Sequence, residues 1–351
     1  MNRASGERSG KRLLDTLDGA LTRHPPIWFM RQAGRYLPEY RSVRAKAGGF
    51  VELCLDPEMA AEVTLQPVRR FALDAAIIFS DILIVPHALG VKLWFEENEG
   101  PRLEPVNDAA SFARVQPALD RKVTRPVYEA LKIVRATLPA NITLIGFCGA
   151  PWTVASYLIA GRGTEDQGPA KALMRGNEKL FSSIIDCLAD ASAQHLIGQI
   201  DAGAEVVQIF DTWAGSLNEH EFDRWCVAPA VKIVRAVRVA RPQARIILFP
   251  KGVQIEWMKR LVSEAEADAI SLDPNANRPR ARELLSGTCA LQGNLSPETL
   301  LEGGDPMDRE IDRILEDFRG TRHIFNLGHG ILKETPIAHV ERMIARVRER
   351  T

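Results

Sequence analysis

Eight short apolar runs, at residues 27–30, 76–79, 142–147, 206–210, 246–249, 269–272, 290–292 and 324–327, punctuate this chain of 351 residues. Most are too short for helices, carry the β-branched residues that strands favour, and are bounded by Gly, Pro, Asp or Asn. They lack polar alternation, as expected of parallel strands buried on both faces. Amphipathic helical stretches lie between them, as at 170–200 and 222–238. Alternation of this kind predicts an α/β fold. A closed barrel requires eight strands, whereas a doubly wound sheet requires no particular number, so the expectation is a single (β/α)8 TIM barrel over residues 13–351. Residues 91–121 are polar and carry Pro101, Pro105 and Pro117 without strand periodicity. They are expected to form an insertion after the second strand.

Composition narrows the classes of partner. Lys plus Arg and Asp plus Glu each total 45, which leaves no basic excess for nucleic acid or a membrane surface. An anion site in such a chain must be a local concentration of cationic side chains. Cys54, Cys148, Cys187, Cys226 and Cys289 are scattered without a C-x-x-C spacing. They argue against structural zinc and a disulfide framework, and fit a reducing cytoplasm. No apolar run approaches the ~18 residues of a membrane span. Residues 1–12 are polar and basic with no hydrophobic segment behind them, and read as a disordered tail rather than a secretory signal.

In a barrel the chemistry sits where strands end. Arg31 and Arg35 follow the first run, with Gln32, Ala33 and Gly34 between them. Two guanidiniums at the mouth of a buried strand are costly unless they meet anions, and Arg is shaped to grip a carboxylate with two parallel hydrogen bonds. Asp81 follows the second run and Gly146 to Pro151 the third, with Tyr157 on the next helix. Asp211 and Thr212 follow the fourth, Lys251 the fifth, Asp273 the sixth, Asn294 the seventh and His329 the eighth. Each has a plainer reading. Arg31 and Arg35 could pair with Glu39 at the surface. On spacing alone Asp81 reads as a helix cap, and Tyr157 as a core tyrosine bonded to backbone. Lys251, Asp273 and Asn294 read as structural.

Two stretches carry a resemblance. Residues 26–41 contain Met30-Arg31-Gln32-Ala33-Gly34-Arg35-Tyr36, and residues 145–157 contain Gly146-Phe147-Cys148-Gly149-Ala150-Pro151-Trp152-Thr153. Both resemble signatures of the uroporphyrinogen decarboxylase family, in the same order, and the likeness runs from about Leu13 to Arg346. The resemblance implies a cofactor-independent enzyme that removes CO2 from the four acetate groups of an eight-carboxylate tetrapyrrole on the way to haem. It implies a homodimer. It makes Asp81 the central active-site carboxylate, with Arg31 and Arg35 as catalytic partners. It assigns substrate contact to Arg31, Gln32, Ala33, Gly34, Arg35, Tyr157, Thr212 and His329. The family often has serine where Thr212 stands, so the hydroxyl is kept. Phe79 and Phe210 are expected to wall the pyrrole faces.

Other chemistries leave no trace in the sequence. There is no G-x-G-x-x-G, Walker lysine loop, H-E-x-x-H or G-x-S-x-G. The alternative within the superfamily is a zinc-dependent corrinoid or thiol methyltransferase. Its His-x-Cys pair is missing, since no histidine is followed two places later by cysteine.

Overall fold

The computed structural model describes residues 9–96 and 100–350. Its strands are β1 (Ala75–Ile77), β2 (Leu93–Glu96), β3 (Gly100–Leu103), β4 (Thr143–Gly149), β5 (Val206–Asp211), β6 (Arg245–Pro250), β7 (Ala269–Ser271), β8 (Ala290–Gln292) and β9 (His323–Ile324). β1, β4, β5, β6, β7, β8 and β9 form one parallel sheet in that order. The first apolar run lies in the remaining gap. Ile27 bridges Phe325 in parallel, and the Phe325 N–H donates to Pro26 O at 2.9 Å. On its other side the Asp74 N–H donates to Ile27 O at 2.8 Å. The sheet thus curls into a TIM-type barrel with helices outside.

The first run is a bridge rather than a full strand because side chains take over its ladder. The Asp74 carboxylate accepts from the Ile27 N–H at 2.7 Å, and Asn326 Oδ1 accepts from the Met30 N–H at 3.2 Å. Trp28, Met30, Ile77, Ile145, Val206, Ile247, Phe249, Ala290 and Ile324 pack together as the barrel interior. A buried amide, Gln292, threads this interior. It accepts from Trp28 Nε1 at 3.0 Å and donates to Gln208 Oε1 at 3.0 Å and Ser271 Oγ at 3.1 Å. Interlocked side-chain bonds of this kind fix a single barrel packing.

Three sequence expectations change. Residues 91–121 contain an antiparallel hairpin, β2 with β3, and the short helix Ala109–Phe112. Half-exposed strands with few neighbours show little of the burial pattern that reveals a strand, and prolines obscured the rest. The stretch 170–200 is two helices, Gly168–Gly176 and Glu178–Asp201, parted at Asn177, whose side chain accepts from the Leu180 N–H. The stretch 222–238 is Glu219–Phe222, a π-turn Asp223–Val227 and Ala228–Ala240. Of the expected tail, residues 1–8 lie outside the described residues. Lys11 meets Glu205 at 2.5 Å, and Arg12 opens the helix Arg12–Leu17.

Candidate active site

The loop after the first run holds Arg31 in a left-handed backbone conformation, φ +62°. That region costs a non-glycine residue about 1–3 kcal/mol and persists only where the surroundings over-determine it. Here both flanks are fixed. Met30 O accepts from the Ile331 N–H at 3.1 Å. Gln32, fully buried, donates from Nε2 to Ala75 O at 3.1 Å and accepts from the Phe29 N–H at 3.3 Å. The Tyr36 hydroxyl donates to Gln32 O at 2.9 Å. The Gln32 side chain therefore builds the wall, and its amide is not free for a ligand. Ala33 and Gly34 are half-buried beside it. Arg31 and Arg35 are exposed, and among the described residues neither has a carboxylate at ion-pair distance. Glu39, the partner considered from sequence, is taken by Arg70 at 2.7 Å.

The Arg31 side chain lies against Gly330 in the loop after β9. A Cβ there would stand 2.4 Å from Arg31 Cδ and 2.8 Å from its Cγ and Nε. A side chain at this position would have to displace that of Arg31. His329, immediately before, is half-buried, with its ring 6.4 Å from that of Phe249. Its pKa falls to about 4, because burial, then Lys251 and Arg31, oppose a third positive charge. At neutral pH it is an uncharged imidazole.

Asp81 follows β1 with its carboxylate in the cleft. Burial raises its pKa above the ordinary aspartate value, opposed by the Leu83 N–H, which donates to Oδ1 at 2.8 Å, and by the charge of Arg31. The turn-forming role and the cleft position thus belong to one side chain. Tyr157, on the helix Pro151–Ala160, is half-buried. Its pKa is raised by burial and then by Asp81, and lowered by Trp213 and Arg31. Arg31, Asp81 and Tyr157 therefore feel one another's charge, and His329 joins them through Arg31. Thr212 is half-buried at the end of β5.

Aromatic rings form the floor. Phe210 meets Phe147 edge-on at 5.6 Å and Phe249 edge-on at 6.1 Å. Phe79 packs on Tyr40 and Phe50, each at 5.6 Å. A small cavity behind Asp81 is lined by Phe50, Cys54, Phe95 and Pro101. Arg44 stands over the rings of Phe50 and Phe95 at 5.1 and 5.7 Å. Neither Arg44 nor Gly330 stood out in the sequence. Arg44 sits among helix-surface arginines with the same spacing, and only Gly330's place in Gly328-His329-Gly330 hinted at close approach.

Asp273 and Asn294 are spent on backbone. Asp273 accepts from the Gly252 N–H at 2.9 Å and the Asn275 N–H at 2.8 Å, and Asn294 donates to Asp273 O at 2.8 Å. Asp211 accepts from Thr153 Oγ1 at 2.6 Å, and burial raises its pKa to about 6. Among the described residues no three His, Cys, Asp or Glu side chains cluster as a metal site, and no helix is long and apolar enough to cross a membrane.

Comparison with known proteins identifies the family and the fold. The family model described as Uroporphyrinogen decarboxylase (URO-D) matches residues 8–350. The uroporphyrinogen decarboxylase of Sphingopyxis alaskensis is 49% identical over 340 residues, covering 97% of this chain and 98% of that one. That of Chelativorans sp. is 50% identical over 340 residues, covering 97% and 98%. Among solved structures, a methyltransferase from Methanosarcina mazei superposes with a TM-score of 0.77 at 20% identity, covering 98% of this chain and 99% of that one. A B12-independent methionine synthase from Shewanella superposes at 0.55 and 11% identity, covering 93% and 94%. These two likenesses speak to fold.

Proposed function

Since the chain belongs to the uroporphyrinogen decarboxylase family, we propose how its strand-end residues carry out that reaction. The enzyme is a carboxy-lyase that takes the four acetate groups of uroporphyrinogen to methyl groups, giving coproporphyrinogen. Each turn breaks one C–C bond, releases CO2 and adds one proton to the methylene left behind. The electron pair needs a sink, and the substrate contains one. Protonation of a pyrrole carbon makes a cationic ring that accepts the pair as CO2 leaves; once the methylene has taken its proton, the ring carbon gives up the one it first received.

In our reading Asp81, ionised, accepts hydrogen bonds from the pyrrole N–H groups and offsets the cation as it forms. Fixed counter-charge of this sort contributes on the order of 3 kcal/mol to the transition state. Arg31 and Arg35 grip carboxylates. A guanidinium is a poor acid, so the proton passes through the gripped carboxyl group. Tyr157, Thr212 and neutral His329 orient acetate and propionate arms, with the main chain of Gln32, Ala33 and Gly34 completing the rim. Phe79 and Phe210 face the pyrrole rings. The observation that carries this reading is the exposed Arg31 guanidinium, without a carboxylate partner among the described residues, whose charge acts on the desolvated Asp81.

The proposal includes a homodimer, which rests on the family alone and is checked by light scattering. It places the enzyme in a reducing cytoplasm, in keeping with five free cysteines. Nucleic acid and membranes are not expected partners of a chain with zero net charge. The test is anaerobic incubation of metal-stripped protein with uroporphyrinogen III, followed by chromatography of the oxidised products. Porphyrins with seven, six, five and four carboxyl groups support the decarboxylase and its independence of metal. No conversion, with turnover restored by zinc and a methyl donor, moves the protein to the methyltransferase branch. Asp81→Asn should retain binding and lower kcat about 10²- to 10³-fold. Full activity in that variant removes Asp81 from the mechanism.

A further inference from the structure

We infer that Lys251 is a further substrate-binding residue, which holds a carboxylate arm together with Arg31 and His329 on the β6–β9 side of the cleft. The inference rests on the decarboxylase reading and extends it to a residue whose sequence context looked structural.

Alternation along β6 supplies the first argument. Ile247 and Phe249 belong to the barrel interior, so the next residue of the same parity, Lys251, rises from the inner face at the rim. Its strand neighbour repeats the pattern. β5 and β6 pair Phe210 with Phe249 and Asp211 with Pro250, which sets Thr212 beside Lys251 above two aromatic rings. The backbone of Lys251 is pinned on both sides. Its N–H donates to Asp211 O at 3.1 Å, and its carbonyl accepts from the Gly215 N–H at 3.0 Å.

The neighbours supply the second argument. The Phe249 ring touches that of His329, and the His329–Gly330 loop supports Arg31. The charge of Lys251 is felt at His329, and at Glu298, whose carboxylate already accepts from Ser296 Oγ at 2.5 Å. Lys251 is half-buried, and among the described residues it has no carboxylate at ion-pair distance. Arg278, also half-buried, is by contrast paired with Glu310 and Asp317. A half-buried ammonium left unpaired, whose charge with that of Arg31 acts on His329, is relieved by an anion. An octa-carboxylate substrate brings such anions on every side.

The test compares Lys251→Met, which keeps the aliphatic stem, with Lys251→Arg, which keeps the charge, in steady-state decarboxylation of uroporphyrinogen. The expected result for Lys251→Met is a KM raised about 10- to 100-fold, the loss of one charge-assisted contact, with a smaller change in kcat and an unchanged melting temperature. Lys251→Arg should recover most of the loss. The KM penalty should also depend on how many carboxylates the substrate retains, as a purely structural lysine would not require. KM and kcat within twofold of wild type in Lys251→Met would overturn the inference, as would a loss in kcat and stability that Lys251→Arg does not recover. Wild-type enzyme run in the same assay separates the two levels: its failure to convert uroporphyrinogen would instead sink the decarboxylase reading.

Discussion

Arg31 pays for its place with backbone strain, and its side chain has one route out of the wall, across the face of Gly330. Gly330→Ala should therefore push the guanidinium aside without disturbing the fold. We expect KM to rise about tenfold, as one bidentate contact weakens, with a melting temperature near wild type; an unchanged KM would show that Arg31 does not reach substrate. Asp81 makes a prediction about pH. Its pKa is raised by burial, so the ionised, working form is lost at a higher pH than for an ordinary aspartate. The acid limb of kcat/KM should lie above the usual carboxylate range, and Arg31→Ala, which removes an opposing positive charge, should move it higher still. An acid limb that stays put in that variant would contradict the coupling. The stability consequence has the opposite sign. A carboxyl with a raised folded-state pKa stabilises below its unfolded value and loses that contribution as pH rises through the folded one. Asp81→Asn, which keeps the acceptor for the Leu83 N–H, should melt no lower than wild type at neutral pH.

At the scale of elements, the barrel seam is the exposed point. Asp74 bonds the Ile27 N–H and meets Arg348 at 2.6 Å and Arg12 at 3.2 Å, joining the first run, β1 and the two ends of the chain. Asp74→Ala should cost about 2 kcal/mol in urea unfolding, chiefly from the orphaned Ile27 N–H and Arg348; Arg12 is too exposed to add much. A loss within 0.5 kcal/mol would mean that the seam holds by packing alone. The elements legible in sequence were those buried on both faces. The run at 290–292 and the strand Ala290–Gln292 coincide, and the runs at 206–210 and 246–249 fall one residue short of their strands at one or both ends. The first run is apolar enough for a strand, yet side chains from Asp74 and Asn326, distant in sequence, replace its ladder. Local pattern does not reveal such partners. The hairpin stayed hidden because Trp94 and Phe95 are exposed and its strands bury almost nothing. In the candidate site, Arg31, Arg35, Asp81, Thr212 and His329 drew notice as groups at strand ends, while their expected roles, like that of Tyr157 on its helix, came from the family resemblance. Gln32 fell among them by adjacency, while its amide turned out to be a beam of the wall.

For the molecule as a whole, charge balance hides a local imbalance. Acidic and basic residues cancel, while Arg31, Arg35 and Lys251 each stand without a paired carboxylate among the described residues, open to an anion. Attraction of this kind is screened by salt. Raising ionic strength from about 0.05 to about 0.5 M should increase KM several-fold with little change in kcat, and a salt-independent KM would point to recognition by apolar contact. The seam between the first run and β9 also has a temporal meaning. Arg31 is translated long before Gly330, on which it rests. Until Gly330 has been made, a nascent chain carries Arg31 without the surface that aims it, and the grip on substrate waits for the strand that closes the ring.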